Sequence, residues 1–100
     1  MPRLIYTPLA LVDVVRLREF IAEHNPEAAA RMARIIKESA ARLKVYPMLG
    51  IQVEEMLFRD MAIPFGANSY ILRYRLIMET QTVVVVGIRH GKEDTGTLDI

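Results

Sequence analysis

The sequence predicts an α+β fold in which an antiparallel helical hairpin packs on one face of a mainly antiparallel sheet of about four strands. Three observations lead there. Apolar residues recur at helical spacing in two capped segments ahead of Pro47, the period falls to two beyond Gly50, and a short alternating stretch precedes the first helix. The chain of 100 residues reads as one domain, 1–100. At that size it buries roughly 65% of the surface that the unfolded chain exposes.

The first strand is "RLIYT", Arg3 to Thr7, expected to pair with the last. Thr7 can cap the N–H groups that follow, and Pro8 suits the first helical position because it has no N–H to lose. From Leu9 to Glu23, Ala10, Val14, Leu17 and Ile21 form one stripe. Val12, Val15 and Phe20 lie off it, which makes them either a wide core face or a partner groove. Asn25, Pro26 and Glu27 repeat the start signals and add an acid at the positive end of the dipole. Ala29, Met32, Ala33, Ile36, Ala40 and Leu43 then stripe a second helix, whose small residues allow close packing. Pro47 and Gly50 stop it.

Strands are expected at about Glu54 to Ile63, Ser69 to Met78 and Thr82 to His90, joined by "PFGAN" and "ETQ". Alternation sends Tyr70, Leu72, Tyr74 and Leu76 one way, and Ile71, Arg73, Arg75 and Ile77 the other. Arg89 joins the second set if the register allows. "VVVVGI" is apolar on both faces, although one helical hairpin covers only one.

Composition narrows the function. There is no cysteine, so a disulfide framework, a thiolate zinc site and thiol redox chemistry are excluded. Thirteen Lys+Arg against twelve Asp+Glu give a formal charge of +1, so bulk electrostatics does not argue for nucleic acid. No stretch approaches the roughly 20 apolar residues of a membrane span, and the N-terminus does not read as a secretory leader, so a cytoplasmic protein without a membrane partner is expected. Hydrophobic residues make up 52% of the chain, which hints at apolar surface meant for another protein, although composition alone favours the alternative of a well-filled core.

The order of strand, helical hairpin and three-stranded meander, with "NPEAAARMARIIKESAARLKVYPMLG", "FRDMAIPFGANSYILRYRL" and "VVVVGIRHGKE", resembles the ParE/RelE superfamily of bacterial type II toxins over about residues 3 to 93. The likeness is greater to the ParE-like branch. It implies a small toxin of a toxin-antitoxin (plasmid stabilization) system. Its cognate antitoxin would be ParD-like, or another small DNA-binding protein with an acidic C-terminal segment, joined to the toxin in a hetero-oligomer. ParE-type members act on DNA gyrase, whereas RelE-type members are ribosome-dependent mRNA endoribonucleases.

Cleaving RNA through a 2′-hydroxyl needs a base, an acid and cations on the phosphate, converging within hydrogen-bond reach. In "NSYILRYR", Ile71 stands just after the tyrosine, where RelE-like nucleases tend to carry an arginine, and the tail "EDTGTLDI" has no tyrosine, histidine or arginine. The ending from Arg89 through Glu93 also departs from the "RHQRE" common in ParE-like chains. A non-enzymatic gyrase inhibitor is therefore the leading expectation. The alternatives are the endoribonuclease and a non-toxic protein-binding module.

Antitoxin-binding candidates are Val12, Val15, Arg73, Arg75 and Arg89; target-contact candidates are Arg89, His90 and Lys92. No catalytic residue, metal or cofactor is assigned. His90 as a general base competes with the commoner solvated strand-end histidine, and His24 with a histidine favoured by a helix C-terminus. Two histidines with scattered acids show no metal-ligand spacing. Arg73 and Arg75 are a solvated stripe unless a partner's carboxylates reach them, when each can clamp an acid bidentately. Met48, Leu49, Met56 and Leu57 near a turn suit either core filling or an adaptable partner surface.

Overall fold

Local capping starts both helices. Thr7 Oγ1 accepts a hydrogen bond from the Ala10 N–H at 3.1 Å and opens α1, Pro8–Ala22. Asn25 Oδ1 does the same for the Ala28 N–H at 3.0 Å and opens α2, Pro26–Arg42. Each helix carries proline in its first turn, where the missing donor costs no intrahelical bond. The computed structural model describes residues 2–55 and 57–92, so the expectations for Met56 and for the tail from Glu93 onward lie outside the described residues.

Five strands form one mixed sheet: β1 (Arg3–Tyr6), β2 (Ile51–Val53), β3 (Phe58–Phe65), β4 (Asn68–Ile77) and β5 (Thr82–His90), in the order β1-β5-β4-β3-β2. The first strand pairs with the last, in parallel, and the other neighbours are antiparallel. The sheet has one strand more than the four expected. The strand anticipated from Glu54 begins only at Phe58, because Glu54 and Glu55 take left-handed φ values of 50° and 58° and form a turn. That turn folds β2 back onto β3. Met78 leaves β4 for a 3-10 turn, Met78–Thr80.

The helices cover one sheet face. Met32, Ile36 and Leu43 from α2 and Ala10 and Leu17 from α1 pack in one cluster with Ile63, Leu72, Tyr74, Val83, Val85 and Ile88. Val12, Val15 and Phe20 are 59%, 51% and 65% exposed, which removes the wide core face as their explanation.

Strict alternation along β5 would turn Gly87 and Arg89 inward together with Val83 and Val85. A bulge prevents this. Arg73 pairs with Gly87 and Tyr74 with Val85, leaving Val86 as the extra residue, so Ile88 enters the core and Arg89 faces out. Asp13 on α1 supports the irregularity, since its Oδ2 accepts the Ile88 N–H at 2.9 Å. A Cβ on Gly87 would lie 3.3 Å from that same oxygen, tighter than an ordinary contact.

Candidate functional site

The face of the sheet turned away from the helices collects the arginines. β3 pairs Asp60 directly opposite Arg73, and the bidentate contact follows: Nε donates to Oδ1 at 2.8 Å and Nη2 to Oδ2 at 3.1 Å. Nη1 donates to Glu54 Oε2 at 3.1 Å, while the guanidinium lies 5.7 Å from the Phe58 ring centroid. The hydrogen bond with Asp60, partly opposed by desolvation, raises the Arg73 pKa further above its ordinary range. Arg89 stands across from Ile71 in the ladder, with Nη2 3.8 Å from Asp60 Oδ2. Two arginines and two carboxylates therefore form one mutually neutralising group.

Arg75, two residues along the same face, is exposed and has no ion pair among the described residues. Half-buried Ile71, Ile77 and Val84 supply the apolar ground between these charges.

The bulge sorts adjacent residues to different surfaces. Arg89 belongs to the open face, whereas His90 pairs with Tyr70, a core residue, and sets its ring edge-on at 5.2 Å. The Lys92 N–H donates to His90 Nδ1 at 2.9 Å, and both residues line a hollow of about 480 Å³ with Leu17 and Phe20. Phe20 also meets the His24 ring at 6.4 Å, so both histidines belong to the same pole of the molecule.

Of the sequence-derived candidates, Arg73, Arg75 and Arg89 thus share a face, while His90 and Lys92 sit at the pole. Val12 and Val15 lie with Leu11 on the solvent side of α1, along a shallow apolar strip bordered by Arg16 and Glu19. One partner segment touching both the strip and the arginines has to pass around the edge of the sheet.

Sequence reasoning missed Asp60, Glu54 and Asp13. Asp13 did carry a signal, an acid three residues after Ala10 and four before Leu17, on the buried stripe itself. It turns Arg89 outward through the bulge and is a positioning residue.

The sequence matches the family described as "ParE toxin of type II toxin-antitoxin system, parDE" over residues 4–95. It is similar to "Toxin RelE1" of Caulobacter vibrioides, 36% identical over 81% of this chain and 84% of that protein. It is also similar to "Toxin RelE3" of the same organism, 33% identical over 86% of this chain and 90% of the relative. Among solved structures, "Chromosomal ParDE TA system from P. aeruginosa" shares the fold with a TM-score of 0.71 at 17% identity, covering 90% of this chain and 96% of that one.

Proposed function

The chain belongs to the ParE toxin family of type II toxin-antitoxin systems, and from that premise we propose that it inhibits DNA gyrase by binding rather than by cutting RNA. In this reading an antitoxin with an acidic C-terminal segment neutralises it by covering the α1 strip at Val12 and Val15 and the sheet face at Arg73, Arg75 and Arg89. Arg89, His90 and Lys92 then contact the target.

The observation that carries the reading is that the arginine cluster of the open sheet face lies apart from His90 and is neutralised by its own carboxylates. RNA cleavage needs a proton-transferring side chain and phosphate-binding cations around one reacting centre. Here His90 faces the Tyr70 side of the sheet, where Arg16 and Lys92 line the same hollow, while Arg73 and Arg89 occupy the other side and are balanced by Asp60 and Glu54. Such a cluster lacks the net positive charge that a scissile phosphate requires.

A second reading, a RelE-like ribosome-dependent mRNA endoribonuclease, draws on the names of the Caulobacter relatives. Gyrase supercoiling assays run beside maps of mRNA ends on translating ribosomes separate the two. The proposal expects inhibited supercoiling, no codon-phased cuts, and a His90→Ala protein without a lost chemical step. Removing one positioned acid or base costs a nuclease about 10²- to 10⁴-fold in rate. Codon-phased cleavage abolished by His90→Ala, with supercoiling untouched, establishes the nuclease instead.

A further inference from the structure

Arg73 holds its two carboxylates in different ways. Asp60 is opposite it in the ladder, engages two guanidinium nitrogens, and has a side chain only 18% exposed. Glu54 makes one contact, to Nη1, and is 55% exposed. It is delivered by a turn in which two successive residues, Glu54 and Glu55, sit at φ 50° and 58°. That region disfavours any L-residue other than glycine, asparagine or aspartate, and neither position has one of these. The Glu54 arm is therefore exposed, singly bonded and conformationally unfavourable, whereas Asp60 is fixed.

We propose that Nη1 of Arg73 is an exchangeable carboxylate site: Glu54 fills it in the free toxin, and an acidic side chain of the antitoxin displaces Glu54 in the complex. This inference rests on the antitoxin reading above and adds to it which contact is made by exchange. Displacement lets the turn at Glu54 and Glu55 leave its left-handed conformation, so relief of backbone strain accompanies binding. Asp60 stays on Nε and Nη2 and keeps the guanidinium aimed. Arg75, one pleat further along the same face, takes a second acid. Its spacing from Arg73, roughly 6.6–6.8 Å along the strand, matches acids at alternate positions of an extended segment. The partner is accordingly an extended acidic peptide with carboxylates two residues apart.

Calorimetric titration of the full chain, at low and at high sodium chloride, tests this with a synthetic peptide of the acidic C-terminal segment of its cognate antitoxin. Glu54→Gln removes the internal competitor. An exposed ion pair of this type is worth at most about fivefold in an equilibrium constant, so affinity should rise about two- to fivefold at low salt. Glu55→Gly relaxes the closed turn without opening it and should weaken binding by a similar factor. In an Arg73→Ala background the effect of Glu54→Gln should vanish. Single cooperative urea transitions, with both variants fully folded at the titration conditions, show that neither turn variant acts through unfolding. Unchanged or weaker binding by Glu54→Gln overturns the exchange while leaving the antitoxin reading intact; failure of the unsubstituted chain to bind the peptide overturns both.

Discussion

Tyr74→Phe deletes one oxygen and is expected to loosen the whole connection between α2 and β2. Tyr74 is fully buried, and its hydroxyl donates to the Pro47 carbonyl at 2.6 Å while accepting the Gly50 N–H at 2.8 Å. Gly50 is buried too, and its absent side chain leaves room for the phenol, since a Cβ there would come within 2.8 Å of Tyr74 Cε1. In the phenylalanine variant the Gly50 donor has no replacement, a loss of about 1–3 kcal/mol for a buried unsatisfied group. The half-buried Pro47 carbonyl can turn to water, which limits its share to about 1 kcal/mol. The sum, about 2–4 kcal/mol, is a large part of the roughly 5–15 kcal/mol that stabilises a typical domain. Arg59 remains as a second anchor, donating to the Gly50 carbonyl at 2.6 Å, so the loop should loosen rather than detach. Urea titration followed by circular dichroism should show a lower midpoint with an unchanged slope. A loss under about 0.5 kcal/mol would refute the reasoning, because it would mean that the Gly50 N–H finds another partner at no cost.

Three other substitutions or conditions have defined outcomes. Val12→Asp combined with Val15→Asp should leave urea stability within about 0.5 kcal/mol, because both side chains are largely exposed, yet weaken antitoxin binding by more than about 1 kcal/mol. Asp13→Ala should cost about 1–3 kcal/mol by orphaning the Ile88 N–H at the bulge, and Asp13→Asn, which keeps an acceptor oxygen, should restore most of it in the same urea assay. Burial raises the pKa of Tyr74 and of Tyr6 above the ordinary value of 10.0, so the folded state holds these protons more tightly than the unfolded chain does. Their contribution to stability is complete below pH 10.0 and declines as the pH rises above it; denaturation midpoints measured across that range should fall, and less steeply in Tyr74→Phe.

The helical half was legible because its signals are local: Thr7-Pro8 and Asn25-Pro26 start the helices where the structure starts them. The faces of β4 were legible by alternation alone. What escaped depended on pairs distant in sequence or on backbone states that the residue types disfavour. Two glutamates announce no left-handed turn, and so Glu54 and Glu55 were read as the start of a strand and β2 was not anticipated. Gly87 inside an apolar strand is a bulge signal that went unread, and its effect on Arg89 needed the register against Arg73 as well. The Asp60–Arg73 pairing follows from the tight turn that joins Phe65 to Asn68, since counting back from that pair places Asp60 opposite Arg73. "PFGAN" was read as the connection, but not as a two-residue turn at Gly66 and Ala67, with Gly66 at φ 59°, which is what sets the register.

The single extra residue at Val86 decides what the charged end of β5 can do. Without it, alternation from Val83 and Val85 would carry Arg89 to the helix side and His90 to the open face, next to the arginines of β4. The histidine would then stand beside the guanidinium groups of β4 instead of sharing a hollow with Arg16 and Lys92. With it, Arg89 reaches Asp60 and His90 turns to Tyr70. Asp13 makes that outcome stable by taking the Ile88 N–H, and Gly87 leaves room for Asp13 to do so. Backbone phase and one helix carboxylate thus set which surface each residue of "RHGK" reaches.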